Sequence, residues 1–270
     1  MKAKLLARSR NPGFVRDALA PFDPAMRSIE WRGMKLHYRP GSSDPWAIYN
    51  HLMKPRERDE YAPPREMPLR PEDVKTVLDI GANVGATALY FSRLFPNAQI
   101  YAFEPAPDNF AVLQKNAANC GRIRAFNFAL GAQDATLELF ASDNPVNFGG
   151  YSLHAAGSDT SKKVSIPVRN VAAVLQEIAL DTVDVIKVDT EGAEWDILTA
   201  FPESVLRSAK YITGELHGNK DFALLEYLSR WFDVGMRKKL SSRLFNFQAV
   251  RKDGAKTTSG RSSTATSGRS

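Results

Sequence analysis

Apolar runs of two kinds alternate along the chain between residues 74 and about 250. Short runs rich in β-branched and aromatic residues predict strands at 74–80, 100–103, 125–129, 183–188 and 211–215. Longer runs predict helices at 86–95, 108–120, 193–201 and 222–231. Strands joined through helices make right-handed crossovers, which build a parallel sheet covered on both faces. The pattern therefore predicts a doubly wound, mostly parallel α/β sheet.

Three further runs predict strands outside this alternation. Residues 136–140 and 164–168 have the composition of strands and flank a loop rich in Gly, Asn and Ser. Residues 245–250 come late in the chain and follow no crossover helix, so we expect an antiparallel strand at an edge of the sheet.

The N-terminal part has a different pattern. Residues 29–38 have mixed strand-like character, and residues 44–53 predict a short helix with Pro45 at its first position and Ser43 or Asp44 as its cap. Five prolines between Pro55 and Pro71 remove backbone donors, which excludes a regular helix and predicts an extended connector.

These patterns divide the chain into three parts. We expect residues 1–70 to form a small N-terminal extension or lid that ends in the proline-rich connector. The main domain is expected at 71–252. Residues 253–270 are mostly Ser, Thr and Gly and contain no large apolar residue. Such a segment cannot bury enough surface to offset its ordering entropy, so we expect a disordered tail.

Length and composition indicate a globular protein of one or two domains. The chain has 270 residues, of which 43% are hydrophobic and 24% are charged. The single cysteine, Cys120, cannot form an intramolecular disulfide, and no cluster of Cys and His suggests structural zinc. No apolar stretch is long enough to span a bilayer, and the first residues lack the apolar run of a signal peptide. We therefore expect a cytoplasmic protein.

The net charge of +6 is concentrated at the two ends of the chain. Residues 1–16 carry +5 and residues 251–270 carry +4, which leaves −3 for the rest. Because the main domain is slightly acidic, we interpret the basic ends as solvated termini and do not expect a nucleic-acid partner.

A glycine-containing turn carries the strongest chemical signal. The sequence VLDIGANVGAT at 77–87 predicts a buried strand that leads through Gly81, Asn83 and Gly85 into a helix. Glu104 follows Gly81 by 23 residues, at the end of the next predicted strand. A carboxylate in that position accepts hydrogen bonds from ribose hydroxyls.

The class of nucleotide follows from what this turn lacks. A dinucleotide fingerprint needs glycines at 81, 83 and 86, but Asn83 and Ala86 occupy two of these positions, and the phosphate-binding pattern GxxxxGK[ST] is absent. A cofactor with an ammonium and a carboxylate in place of phosphates fits better, because Asp79 can pair with the ammonium. S-adenosylmethionine is such a cofactor. The alternative is a tight turn that binds no ligand.

An ordered set of motifs resembles the FkbM-type family of class I S-adenosylmethionine-dependent methyltransferases. The similarity covers about residues 74–216. It rests on DIGANVG at 79–85, FEP at 103–105, Asn109 with Phe110, Asn116, Asn127 with ALG at 129–131, and IKVDTEGAE at 186–194.

The resemblance implies a Rossmann-like, open seven-stranded sheet and methyl transfer to a hydroxyl of a sugar or natural product. It also implies a cofactor site at the carboxyl ends of the first strands. The donor's methionine part would lie near Asp79, Gly81, Asn83 and Gly85, its ribose at Glu104 and its adenine near Asn127 and Ala129. The sequence departs from the family pattern at Thr87, where serine is common, and at Asn170-Val171, which replaces a Leu-Asp pair.

Candidate catalytic residues end the fourth and fifth predicted parallel strands. They are Lys187, Asp189, Glu215 and His217, with Glu191 beside them. A hydroxyl acceptor must lose its proton to a carboxylate, a histidine or a metal-assisted group. Alternation on an extended segment places Glu215 and His217 on one side, as a base with its orienting acid or as a fragment of a metal site with Asp189. No metal site is assigned from the sequence.

Each of these residues also has a structural interpretation. Glu191, Glu194 and Asp196 are suited to the first turns of a helix, where acids complement the helix dipole. Asp189 or Thr190 can cap that helix. Lys187 can balance nearby acids, and a lone histidine is often only a hydrogen-bonded structural group.

Two other groups are candidate acceptor contacts. His154, Tyr151 and Ser152 lie in the Gly-rich loop and could reach an acceptor. Trp31, Trp46 and Tyr49 could stack on a sugar or close the cleft, but we interpret them as packing of the N-terminal extension.

The sequence therefore predicts an S-adenosylmethionine-dependent O-methyltransferase that acts on a small-molecule or carbohydrate hydroxyl. One alternative is methylation of RNA or protein. The other is an inactive cofactor-binding module that recruits partners through its termini. The sequence does not predict an oligomeric state.

Overall fold

The strands and helices come from a computed structural model that describes residues 2–55, 59–65, 67, 69–142, 151–152, 158–217, 220–238 and 245–252. The strands are β1 (Arg27–Trp31), β2 (Met34–Tyr38), β3 (Thr76–Ile80), β4 (Gln99–Phe103), β5 (Ile123–Phe126), β6 (Ala129–Gly131), β7 (Ala135–Ser142), β8 (Tyr151–Ser152), β9 (Ser158–Asn170), β10 (Val185–Val188), β11 (Tyr211–Leu216), β12 (Phe232–Lys238) and β13 (Phe245–Arg251). The helices are α1 (Lys2–Ser9), α2 (Pro12–Asp17), α3 (Asp44–Ile48), α4 (Ala86–Leu94), α5 (Pro107–Ala117), α6 (Val171–Glu177), α7 (Glu194–Thr199), α8 (Glu203–Ser208) and α9 (Asp221–Ser229).

A seven-stranded mixed sheet with the order β12-β13-β11-β10-β3-β4-β5 forms the centre of the fold. Neighbouring strands from β11 to β5 pair in parallel, whereas β13 pairs antiparallel with both β11 and β12. Alternate residues of β3 enter different apolar clusters. Val77 packs with α4 and α5, and Leu78 packs with α6 to α9. The predicted α/β sheet with helices on both faces is therefore confirmed.

The position predicted for residues 245–250 is wrong. These residues form the antiparallel strand β13, but it lies between β11 and β12, and β12 is the edge strand. The sequence did not indicate β12, because Phe232 is buried at its start and most of its other residues are exposed. A polar edge strand has no apolar alternation that a pattern search detects.

A smaller sheet with the order β6-β9-β7-β8 stands beside the main one. It contains the predicted strands at 136–140 and 164–168, within β7 and β9. The single strand predicted at 125–129 is wrong, because the chain leaves the main sheet after Phe126 and enters the smaller sheet at Ala129. Between them, Asn127 Nδ2 donates to the carbonyl oxygens of Glu104 and Pro105, at 3.0 and 3.1 Å.

The N-terminal residues are folded, unlike the solvated terminus that their charge indicated. Leu5 in α1 and Phe14 in α2 are buried in the apolar cluster that also contains Val77. Arg10 and Arg16 are exposed, as expected for solvated charges. The tail at 253–270 lies outside the described residues.

The helix predicted at 44–53 begins as α3 and continues as a π-helical turn at Tyr49–Met53. Ser43 is the N-cap residue, as one of the two proposals had it, whereas Asp44 is the first residue of the helix. Ser43 makes no side-chain capping bond, and the Asp44 carboxylate instead binds the Arg39 guanidinium, with Nε to Oδ2 at 2.8 Å and Nη2 to Oδ1 at 2.9 Å. Both side chains are buried, so this pair holds β2 against the start of α3.

Two asparagines, one in the last turn of α5 and one just after it, connect the N-terminal hairpin to the helix layer of the main sheet. Asn116 and Asn119 bind the backbone of β2 on both its N–H and C=O groups, at His37 and Lys35 respectively. Asn116, one of the motif residues, is therefore structural. None of the described helices has both the length and the apolar character needed to cross a membrane.

Candidate functional site

The turn between β3 and α4 packs directly against the ends of β4 and β10. The backbone N–H groups of Gly81 and Ala82 donate to the carbonyl oxygen of Phe103, at 3.0 and 2.9 Å. Gly81 has a φ of +79°, and a Cβ there would overlap the carbonyl oxygen of Asp189. Glycine is therefore required for the turn to approach the end of β10.

Glu104 lies at the end of β4 with its carboxylate held by backbone donors. Asn83 N donates to Oε2 at 2.8 Å, and Ala106 N donates to Oε1 at 3.0 Å. Burial raises the pKa of Glu104 to about 7, although these two hydrogen bonds act to lower it. Each carboxylate oxygen accepts more than one hydrogen bond, so the side chain can also receive ligand hydroxyls.

A cavity of about 440 Å³ opens beside Glu104. Its polar end is formed by the turn, Glu104 and the segment that begins at Asp189. Its apolar end is formed by β6, β7 and β9, through Ala129, Leu137, Leu139, Ile166 and Val168. The volume is in the range of small-molecule sites, and the two ends suit a flat base joined to a charged chain.

A second cavity of about 210 Å³ lies on the other side of the turn. Gly81, Asn83 and Asp189 line both cavities. The remaining wall of the second cavity combines aromatic and polar side chains, chiefly Trp46, Asn50, His51, Glu60, Tyr61 and Glu215.

Asp79 and Lys187 form a buried ion pair beneath the turn. The side chains are 0% and 2% exposed, and Lys187 Nζ is 3.2 Å from Asp79 Oδ1. Burial raises the pKa of Asp79, and the Lys187 charge opposes this. Burial would lower the pKa of Lys187, but Asp79 and Asp189 raise it overall. Lys187 also donates to the carbonyl oxygens of Ile80 and Gly81, at 3.2 and 2.6 Å.

This pair gives two predicted site residues a structural role. Lys187 fixes the turn and neutralises Asp79, and it also lines the second cavity, whereas Asp79 does not line the larger one. Their predicted contacts with the donor and the reacting groups stay predictions. The same applies to Asn127, whose side chain binds backbone, and to Gly85, which has a φ of +82° at the start of α4.

Four carboxylates surround His217. Its Nδ1 is 3.2 Å from Glu194 Oε1, and its Nε2 is 3.2 Å from Glu215 Oε2. Nε2 is also 3.9 Å from Asp189 Oδ1 and 3.8 Å from Glu191 Oε2. Burial would lower the pKa of His217, but the Glu194 hydrogen bond and the charges of Asp189 and Glu191 raise it to about 9. The structure therefore brings Asp189, Glu215 and His217 together as the sequence predicted.

The acids that follow β10 have separate positions. Glu194, at the start of α7, accepts from the backbone N–H of Thr190 at 2.9 Å and ties the loop to the helix. Asp196 is exposed and pairs with Lys220 at 3.0 Å. Neither Asp189 nor Thr190 makes a capping bond to α7, whose N-cap is Ala193.

Tyr61 is a site residue that the sequence did not indicate. Its Oη donates to Asp189 Oδ2 at 2.7 Å, and its ring stacks on His51 with 5.6 Å between ring centroids. His51 Nδ1 is in turn 2.9 Å from Asp59 Oδ2. Tyr61 lies in the proline-rich connector, which has no hydrophobic periodicity. The one signal that the sequence offers there is that a tyrosine hydroxyl can donate a hydrogen bond.

The other candidate acceptor contacts have different environments. Trp31 is buried in the N-terminal packing, which supports its structural interpretation, whereas Trp46 faces the second cavity. Tyr151 and Ser152 contribute backbone to β8. His154 lies outside the described residues.

Comparison with known proteins decides the family. The family model described as the methyltransferase FkbM domain matches residues 79–247, more than half of the chain. The chain belongs to the FkbM methyltransferase family. As an FkbM methyltransferase, it is an enzyme whose methyl donor is S-adenosylmethionine.

Three relatives of this FkbM methyltransferase have descriptive names. Methyltransferase 1 of Beauveria bassiana (strain ARSEF 2860) is 30% identical over 187 residues, which cover 62% of this chain and 75% of that protein. The 2-O-methyltransferase NoeI of Sinorhizobium fredii (strain NBRC 101917 / NGR234) is 27% identical, over 49% of this chain and 59% of that protein. The 31-O-demethyl-FK506 methyltransferase FkbM of Streptomyces tacrolimicus is 28% identical, over 55% and 67% respectively. The chain thus spans about three fifths to three quarters of these relatives.

Proposed function

We propose that this FkbM methyltransferase methylates a hydroxyl group of a sugar or small natural product. The observation that carries the proposal is the position of Asp189, which lines both cavities beside the turn. A donor in one cavity and an acceptor in the other would meet at this carboxylate.

The larger cavity is the proposed donor site. Glu104 would accept hydrogen bonds from the ribose hydroxyls, and Leu139 and Ile166 would cover the adenine. The backbone of the turn at Gly81 and Asn83 would face the methionine part. When bound, S-adenosylmethionine supplies a methyl group attached to a positively charged sulfur, which makes the methyl electrophilic.

The second cavity is the proposed acceptor site. Trp46 offers an aromatic face, against which the C–H side of a sugar ring can pack. Asn50 and Glu60 offer polar atoms for its hydroxyls. These side chains come from the first 70 residues, so in this proposal the N-terminal extension acts as the lid of the acceptor site.

The carboxylates at the strand ends would position and deprotonate the acceptor. The acceptor oxygen forms the new bond to the methyl carbon as the carbon–sulfur bond breaks, and the hydroxyl proton must leave. Asp189 and Glu215 lie next to the place where this happens. Because a hydroxyl becomes acidic only as the new bond forms, a nearby carboxylate can take its proton in the transition state. Holding the two reactants in line supplies a further part of the rate.

The names of two relatives agree with oxygen as the acceptor atom. NoeI is named a 2-O-methyltransferase, and FkbM of Streptomyces tacrolimicus is named for the 31-O position of its substrate.

The test is a methyl-transfer assay on a panel of glycans, glycosylated lipids and hydroxylated natural products, with mass spectrometry of the products. We expect O-methylation by the unmodified chain and by Glu203→Gln, which removes an exposed acid paired with Arg207. Asp189→Asn should lose transfer by at least about 100-fold and still bind S-adenosylhomocysteine. Transfer only to RNA or protein would contradict the proposal, as would donor binding without transfer to any acceptor.

A further inference from the structure

Three side chains at the ends of β10 and β11 bring possible metal ligands together. Asp189, Glu191 and His217 each offer one ligand atom, and these atoms all lie within 4.8 Å of one another. Nε2 of His217 is 3.9 Å from Oδ1 of Asp189 and 3.8 Å from Oε2 of Glu191. With metal–ligand bonds of about 2.1 Å, neighbouring ligand atoms stand roughly 3.0–3.5 Å apart, so small rotamer changes would complete the set.

The histidine provides the observation that separates this cluster from an ordinary group of acids. The side chain of His217 is only 7% exposed. Among the described residues, its Nε2 has no hydrogen-bond partner. Glu215 Oε2 is 3.2 Å away but does not stand in hydrogen-bonding geometry to it. A buried ring nitrogen without a hydrogen-bond partner, near the carboxylates of Asp189, Glu191 and Glu215, is suited to a cation.

The other ring nitrogen fixes the tautomer that a metal ligand needs. Glu194 Oε1 accepts from the backbone N–H of Thr190 and of Gly192, at 2.9 and 3.3 Å, so it acts as an acceptor. His217 Nδ1, 3.2 Å from the same oxygen, is therefore the donor in that contact. When a cation displaces the proton of Nε2, this nitrogen offers its lone pair beside Asp189 and Glu191. A ligating histidine whose second nitrogen donates to a carboxylate is the usual arrangement at metal sites.

The excess of negative charge around His217 also favours a bound cation. Asp189, Glu191, Glu194 and Glu215 all approach His217 within 4 Å. A single imidazolium balances one of these charges, whereas a divalent cation balances two.

We propose that Asp189, Glu191 and His217 bind a divalent cation, and that Glu194 positions His217 for it. One imidazole and two carboxylates suit Mn²⁺ or Zn²⁺ better than Ca²⁺. The cation's role rests on the proposed function: it would bind the acceptor hydroxyl and lower its pKa, and Glu215 would be left to take the proton. Binding of the cation itself does not depend on methyl transfer.

The test measures Mn²⁺ binding to the full chain after treatment with a chelator and dialysis. The electron paramagnetic resonance signal of free Mn²⁺ reports the bound fraction, without donor or acceptor present. We expect one Mn²⁺ per chain with a micromolar dissociation constant. Glu191→Gln and His217→Ala should weaken binding at least tenfold, and Glu194→Gln should weaken it by about 10–100-fold through the lost orientation of His217.

The matched control is His37→Gln, because His37 lies on β2 away from the cluster and should leave Mn²⁺ binding unchanged. Glu191 is half exposed, so its substitution keeps the test valid if the His217 variant does not fold. No saturable binding by the unmodified chain, or equal binding by Glu191→Gln, overturns the proposal. Mn²⁺ binding without methyl transfer under any condition would instead contradict the proposed function and leave the cation site standing.

Discussion

The hydroxyl of Tyr61 donates a hydrogen bond of 2.7 Å to Oδ2 of Asp189, across 128 residues of sequence. Burial and the Asp189 charge raise the pKa of Tyr61 well above its ordinary value, so the hydroxyl keeps its proton and remains a donor. The bond fixes one oxygen of Asp189 and ties the N-terminal segment to the strand end at which we place methyl transfer.

Replacing Tyr61 by phenylalanine tests this link. Tyr61→Phe keeps the ring that stacks on His51 but removes the hydrogen bond. We expect turnover to fall about tenfold with donor affinity unchanged, and stability to fall by about 1.5–3 kcal/mol, because the bond is to a charged group. Steady-state kinetics and urea unfolding measure the two effects.

Tyr38→Phe is the matched control. It removes another tyrosine–aspartate bond, of 3.0 Å to Asp17, far from the cavities. It should lose comparable stability and keep its turnover. Equal loss of turnover in the two variants would show that Tyr61 acts only through the fold.

The ion pair between Lys187 and Asp79 should matter mainly for stability. Lys187→Met leaves the fully buried carboxylate of Asp79 without its cation. We therefore expect the free energy of unfolding, measured with urea, to fall by about 3–5 kcal/mol. Adding Asp79→Asn should restore part of that loss. Lys210→Met breaks the more exposed pair with Asp184 and should cost only about 1 kcal/mol or less. A Lys187→Met protein with normal stability and no turnover would support the catalytic role that the sequence predicted for Lys187.

Donor affinity should depend on the ionisation of Glu104. Its pKa of about 7 is raised by burial, and only the carboxylate accepts hydrogen bonds from both ribose hydroxyls. Affinity for S-adenosylhomocysteine should therefore be nearly full at pH 8 and weaken as the pH falls through 7, by about tenfold between pH 8 and pH 6. Calorimetry across this range measures it. Glu104→Gln corrects for titration of the ligand itself, and an identical pH dependence in that variant would refute the assignment.

The glycine at the turn should not tolerate a side chain. Gly81→Ala places a Cβ against the carbonyl oxygen of Asp189 at a left-handed φ, so we expect a loss of at least about 2 kcal/mol and of donor binding. Gly235→Ala on β12 is the control, because its Cβ would meet no atom within 4 Å. Thermal unfolding compares the two, and equal melting temperatures would contradict the packing of the turn on β10.

The sequence predicted those parts of the fold that depend on buried, regular patterns. β3, β4, β10 and β11 are buried on both faces and rich in apolar residues, so their runs stand out. β12 was missed because its exposed positions carry no such signal. The split after Phe126 was missed because it depends on Asn127 binding the backbone of the chain after β4, a tertiary contact that no local pattern encodes.

The candidate site follows the same division. Asp189, Glu215 and His217 could be predicted because strand ends of a parallel sheet meet at one edge. Tyr61 could not, because it lies in the proline-rich connector and reaches Asp189 across 128 residues of sequence. His51 could not, because it meets the site through its stacking on Tyr61. The position of Lys187 at a strand end predicted it as a site residue. Its pairing with Asp79 could not be predicted, because it depends on the register between β3 and β10.

A crystal structure of the chain with S-adenosylhomocysteine would show where the methyl donor binds. We expect the nucleoside in the larger cavity, with both ribose hydroxyls within hydrogen-bond distance of Glu104 and the sulfur directed toward Asp189. A ligand bound elsewhere, or a ribose turned away from Glu104, would contradict the proposed donor site.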